Sequence, residues 1–81
     1  YPNPFNPGTT IQFDLAERTN VTLKIYDVSG NEIAALINDE KEAGTYKINF
    51  NSEDFGISSG VYFYRIITDK ISETRSMILL K

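Results

Sequence analysis

Ser58-Ser59-Gly60-Val61-Tyr62-Phe63-Tyr64-Arg65-Ile66-Ile67 is the longest run of this chain in which nearly every side chain is β-branched or aromatic. Residues of that kind fit a pleated, packed surface, so the run reads as a central strand. Side chains alternate across a strand. Tyr62, Tyr64 and Ile66 therefore share one face, and Val61, Phe63, Arg65 and Ile67 the other. The first set is expected inward. The second is apolar except for Arg65, so that face is expected to be partly covered too. Gly60, Tyr62 and Tyr64 also keep the two-residue spacing of a tyrosine corner, in which a tyrosine hydroxyl ties a strand back to nearby backbone. Tyr64 stands where antibody domains place a cysteine, so a ring takes the place of the disulfide.

The segments around this run carry the same two-residue period. Ile11, Phe13 and Leu15 alternate with Gln12 and Asp14, and Val21, Leu23 and Ile25 alternate with Thr22, Lys24 and Tyr26. Tyr46, Ile48 and Phe50 alternate with Lys47 and Asn49. Each is a half-buried strand. Residues 16–20 are a polar connection, and residues 27–31 a tight turn with Gly30 at positive φ. In residues 32–37 the apolar pair Ile33 and Leu36 is three apart, which suits a helical turn or a bulged strand; the segment is too short for a stable helix, so a strand is expected. Residues 38–44 read as an exposed acidic loop. Phe55 and Ile57 are expected to plug one end of the core. Residues 68–74 form a hairpin connection, and residues 75–81 a last strand with Met77 and Leu79 inward and Ile78 and Leu80 outward. A strand apolar on both faces is a pairing hazard unless something covers or uses it.

All three prolines fall in residues 1–8, Tyr1-Pro2-Asn3-Pro4-Phe5-Asn6-Pro7-Gly8. Proline lacks the N–H that a ladder or helix needs and holds the residue before it extended. This stretch is thus expected to be an extended edge segment ending in a Pro7-Gly8 turn, with Phe5 and Tyr1 tucked against the sandwich. The sum is about seven short strands separated by turns. The expected fold is all-β, an immunoglobulin-like antiparallel sandwich forming one domain over residues 1–81.

Composition excludes several kinds of chemistry. The 81 residues include no cysteine and no histidine, which removes disulfides, thiol nucleophiles and the usual zinc ligands. Five tyrosines and five phenylalanines supply the buried area that a core without disulfides requires. Eight basic residues against eleven acidic ones give a net charge of −3 with no basic cluster, so nucleic acid is not an expected partner. No apolar run is long enough for a helical membrane span, and no insertion into the membrane is expected. The chain starts without methionine and reads as a piece of a larger polypeptide.

No catalytic or cofactor site emerges. Asp39, Glu40 and Glu42 lack the spacing of a calcium loop and have Lys41 among them, so a solvated hairpin tip is the expectation. A hydrolytic pair of carboxylates needs a cleft that a sandwich of this size does not offer. Serine has no histidine to activate it. Lys24 and Lys47 are expected outside, and so unsuited to an internal isopeptide bond. Tyr26, Phe63 and Tyr1 suit a sugar-stacking strip, but also the simple covering of an outer sheet face.

The ordered blocks Tyr1-Pro-Asn-Pro-Phe-Asn-Pro, Thr9-Thr-Ile, Ile25-Tyr-Asp-Val-Ser-Gly, Ala43-Gly-Thr-Tyr, Ser59-Gly-Val-Tyr-Phe-Tyr-Arg and Met77-Ile-Leu-Leu-Lys resemble the type A C-terminal sorting domain of the type IX (Por) secretion system. They are also similar to the immunoglobulin-like domain of flagellar hook-capping proteins. The sorting resemblance spans essentially the whole chain. It implies a non-catalytic, folded secretion signal, with no cofactor, at the end of a larger parent protein. The parent would cross the periplasm and outer membrane to be secreted or held at the cell surface. The implied partners are the outer-membrane translocon, a sortase-like surface enzyme and the N-terminal cargo domain of the same chain. Recognition in the family is associated with the C-terminal part, which corresponds here to Gly60, Tyr62, Met77, Ile78, Leu79, Leu80 and Lys81. The alternative is an accessory immunoglobulin-like spacer or carbohydrate-binding module of a secreted hydrolase.

Overall fold

A computed structural model describes residues 8–80. Six strands follow in order: β1 (Gly8–Leu15), β2 (Thr19–Tyr26), β3 (Glu32–Lys41), β4 (Gly44–Asn51), β5 (Gly60–Ile67) and β6 (Ser72–Leu79). A short 3-10 helix, Ser52–Phe55, lies between β4 and β5. The strands form two antiparallel sheets, a pair β1-β4 and a quartet β3-β2-β5-β6. The fold is the all-β, immunoglobulin-like sandwich expected, with six strands among the described residues where about seven were anticipated. The leading segment, including Tyr1 and Phe5, lies outside the described residues apart from Gly8, which opens β1.

The alternating residues build the core. Ile11 and Leu15 of β1 and Phe50 of β4 meet Val21, Leu23 and Ile25 of β2, Ala34 and Ile37 of β3, Tyr62 and Ile66 of β5, and Leu79 of β6. Burying each large apolar side chain contributes about 1.5–3 kcal/mol. Phe13 stacks on its cross-strand partner Tyr46 at 5.4 Å, which continues the aromatic packing toward one end. At the other end Phe55 stacks on Phe50 at 5.1 Å, and half-buried Ile57 packs beside it. Phe55 is itself 43% exposed, so the plug is a ring laid over the core edge, and Ile57 is the residue that enters it.

Residues 32–37 are a bulged strand. Leu23 pairs with Ile37 and Lys24 with Ala35, then Ile25 pairs with Ala34 and Tyr26 with Glu32. Leu36 and Ile33 are thus the two extra residues, which accounts for their spacing of three. The Asp27–Asn31 turn closes as expected, with Gly30 at φ 88° and Gly30 N–H donating to the Asp27 carbonyl.

Several boundaries differ from expectation. The expected acidic loop is mostly strand, since β3 continues to Lys41 and pairs with Thr19 and Asn20 of β2, themselves expected in a connection. β6 begins at Ser72, where a turn was expected up to residue 74, and β5 begins at Gly60 and not at Ser58. The outer face of β5 is more open than anticipated. Phe63 is half-buried, but Val61, Arg65 and Ile67 are exposed.

Candidate docking surface around the last strand

β5 and β6 run antiparallel with eight consecutive pairs, from Gly60 opposite Leu79 to Ile67 opposite Ser72. This register gathers residues that are far apart in sequence. Gly60 faces Leu79, Val61 faces Ile78, and Tyr62 faces Met77. Five of the residues nominated from sequence therefore form one patch at the same end of two paired strands. Leu80 lies just beyond β6, and Lys81 lies outside the described residues.

The patch has two sides with different physical roles. Tyr62 and Leu79 are buried, at 7% and 0% exposure, and Met77 is half-buried against the same core. Tyr62 Oη donates a 2.7 Å hydrogen bond to the Ser58 carbonyl, four residues upstream. This is the tyrosine corner that the spacing predicts, and it holds the segment leading into β5. Gly60 adopts φ 154°, a backbone conformation that strains any residue with a Cβ. No side chain blocks the site, since an added Cβ would meet only Tyr62 Cε2 at 3.9 Å. Gly60 and Tyr62 thus shape the corner and present no reactive group.

On the opposite side, Ile78 is 68% exposed, directly across from exposed Val61, and Leu80 is exposed beyond it. Phe63, two positions along β5, lies opposite Tyr26 of β2, so the outer face carries a continuous apolar tract. The Arg65 guanidinium sits 5.3 Å from the centre of the Tyr26 ring. That cation occupies a ring face on which a sugar would have to stack. Tyr1, the third member of the sugar strip considered from sequence, lies outside the described residues. Val61 was not nominated from sequence; its significance comes from the register alone.

β6 is also an edge. Among the described residues it pairs with β5 and with no other strand, so its second row of backbone donors and acceptors has no sheet partner. Charges elsewhere are placed in ordinary surface pairs. Arg18 meets Glu40 at 2.6 Å and Glu42 at 3.3 Å, Lys41 lies 3.8 Å from Asp39, and Lys24 meets Glu32 at 2.9 Å. The Glu32 carboxylate raises the Lys24 pKa above its usual value, chiefly through their hydrogen bond. The acidic residues considered for calcium are therefore matched by cations of the chain. Among the described residues no three acidic side chains converge into a cluster fit for a metal.

A family model described as the secretion system C-terminal sorting domain matches residues 1–80. The chain belongs to that family. The sorting domain is accordingly a C-terminal signal for type IX secretion, a family that is non-catalytic by kind, and it implies export to the cell surface or secretion. It implies interaction with the type IX machinery and attachment to a larger parent protein. No curated protein and no solved structure matches the chain.

Proposed function

We propose that this sorting domain carries no catalytic activity of its own and is read through β6. In this reading the outer-membrane translocon engages the free edge of the strand and the apolar tract of Ile78, Val61 and Leu80. Gly60, Tyr62, Met77 and Leu79 hold that strand in position, and Lys81 extends the contact. An exposed strand edge offers main-chain hydrogen bonds, while alternate side chains supply selectivity. The observation that supports the reading is Ile78, the most exposed large apolar residue of β6, placed on a strand that among the described residues pairs along one edge, with β5. Cargo from the N-terminal part of the parent chain would follow the domain out, and a sortase-like enzyme at the surface would act on it afterwards.

The test fuses residues 1–81 to a periplasmic reporter in a host with a working type IX system. Removing residues 77–81 is expected to leave the reporter in the periplasm. Export that survives the deletion rules out docking through β6. Polysaccharide binding that disappears on Tyr26→Ala or Phe63→Ala would instead favour the accessory-module reading.

A further inference from the structure

The last hairpin fixes which backbone groups of β6 face outward. Thr68 N–H donates to the Ile71 carbonyl at 2.8 Å, so these two residues form a hydrogen-bonded pair. Bonded and non-bonded pairs alternate along an antiparallel ladder. Counting from that pair, Glu73, Arg75, Met77 and Leu79 direct their backbone groups at β5. Ser72, Thr74, Ser76 and Ile78 direct theirs at the other edge, along which β6 pairs with no strand among the described residues. The side chains of these four share the outer face with their partners Ile67, Arg65, Phe63 and Val61. Three of the four are small and hydroxylated, so the outer face of β6 is a low step beside β5. Arg65 leans over that step, its Nε donating to Thr74 Oγ1 at 3.0 Å.

Arg65 is unlike most cations of the chain. Arg18, Lys24, Lys41, Lys70 and Arg75 each have a carboxylate beside them. Lys47 is not among them, but it lies on β4 opposite Gln12, between Thr45 and Asn49 of its own face. Arg65 instead meets the Tyr26 ring and borders a hollow of about 240 Å³ lined also by Val28, Phe63 and Thr74. Asp27 reaches the same hollow, yet its carboxylate is taken up by its own turn, accepting from Ser29 and Asn31. Among the described residues the Arg65 guanidinium thus has aromatic and hydroxyl neighbours and no paired anion.

We propose that the receptor segment added to β6 is an antiparallel strand with an apolar side chain opposite Ile78 and, four residues later, a carboxylate opposite Thr74 that pairs with Arg65. This deepens the reading of β6 as the docking edge and rests on it. In such a strand the residues opposite Ser72, Thr74, Ser76 and Ile78 form the hydrogen-bonded pairs, and their side chains stand on the outer face. The strand would lie about 10 Å from β5, two spacings of ~4.8 Å, with only the small Thr74 side chain between it and the leaning guanidinium. Covering Arg65 strips water from a fixed charge, which is costly unless the partner supplies an anion. A carboxylate there also accepts from the terminal N–H groups that the Thr74 bond leaves over, giving a charge-assisted pair. A strand without the acid would leave Arg65 dry and unpaired, so the same arginine selects against neutral strands. The domain carries a net charge of −3, so a single placed carboxylate suits it and a run of acidic residues does not.

The test places Arg65→Met and Arg65→Lys in the fused reporter, beside the deletion of residues 77–81, and measures the urea midpoint of each full-length substituted chain. Arg65→Met keeps a long side chain and removes the charge. Its export is expected to fall about tenfold with an unchanged midpoint, while Arg65→Lys, which keeps the charge, exports within about twofold of wild type. Undiminished export of Arg65→Met overturns the proposal. A lowered midpoint that accounts for the loss assigns Arg65 to folding and overturns it as well. Equal loss from the methionine and lysine variants points to the shape of the side chain and not to its charge, with the same consequence. The deletion separates this inference from the reading beneath it. If the deletion blocks export and Arg65→Met does not, β6 is still the docking edge and only the acidic partner is lost. Export that survives the deletion removes both.

Discussion

The hydroxyl of Tyr62 donates to the carbonyl of Ser58 across 2.7 Å, closing a corner at the mouth of β5. The ring beneath that bond is buried in the core, so a single residue joins the packing to the backbone path. Tyr62→Phe keeps the ring and deletes only the bond. A loss of about 1 kcal/mol is expected, read as a lower urea midpoint with an unchanged slope.

Gly60 tests the backbone side of the same corner. Space for a methyl group exists, so Gly60→Ala should cost through φ alone, by about 1–3 kcal/mol. A crystal or NMR structure of the variant is expected to show β5 intact and the Ser58–Gly60 backbone rearranged. An unchanged melting temperature would mean that the strain is not held there.

Neighbouring residues of β6 should separate recognition from folding. Ile78→Lys alters an exposed side chain and is expected to change stability by no more than about 0.5 kcal/mol. It should nevertheless abolish export of a fused reporter. Leu79→Ala empties a fully buried site and is expected to destabilise the domain by about 2–5 kcal/mol. Equal export from wild type and the Ile78 variant would remove that side chain from the recognition surface.

The turn between β2 and β3 should respond to acid. Asp27 accepts from the backbone N–H groups of Asn31 and Ser29, both at 2.9 Å, and from the Asn31 side chain at 3.3 Å. The Asn31 backbone bond is the main cause holding its pKa below the ordinary 3.8. A carboxylate with a lowered folded-state pKa adds stability that is present above the unfolded value and is lost as pH falls through the folded one. The Asp27 carboxyl should therefore titrate by NMR below 3.8, and the turn should loosen only on further acidification. Asp27→Asn should remove that part of the acid dependence.

Sequence periodicity located strands wherever one face is dry. Ile11, Phe13 and Leu15, or Val21, Leu23 and Ile25, could hardly be arranged otherwise. It failed where a strand runs past the cover of the two-stranded layer. Asn38, Asp39 and Glu40 of β3 and Ser72, Glu73, Thr74 and Arg75 of β6 are all exposed, so no alternation marks them. Both segments resembled loops for that reason. The facing of Met77, Ile78, Leu79 and Leu80 was legible from the same period. The juxtaposition of Gly60 with Leu79 and of Val61 with Ile78 was not, because strand register depends on pairing between distant segments.

The two rims of the four-stranded sheet are unlike. β3 slips twice against its neighbour, at Leu36 and Ile33, while β6 keeps an unbroken ladder. Irregular rims resist the addition of another strand, and regular ones invite it. Among the described residues the sheet thus has one border, β6, on which an added strand would find a continuous ladder, and one, β3, on which it would meet two kinks. Recognition by strand addition is thereby given a direction, since the domain offers a receptor one seam that can be extended.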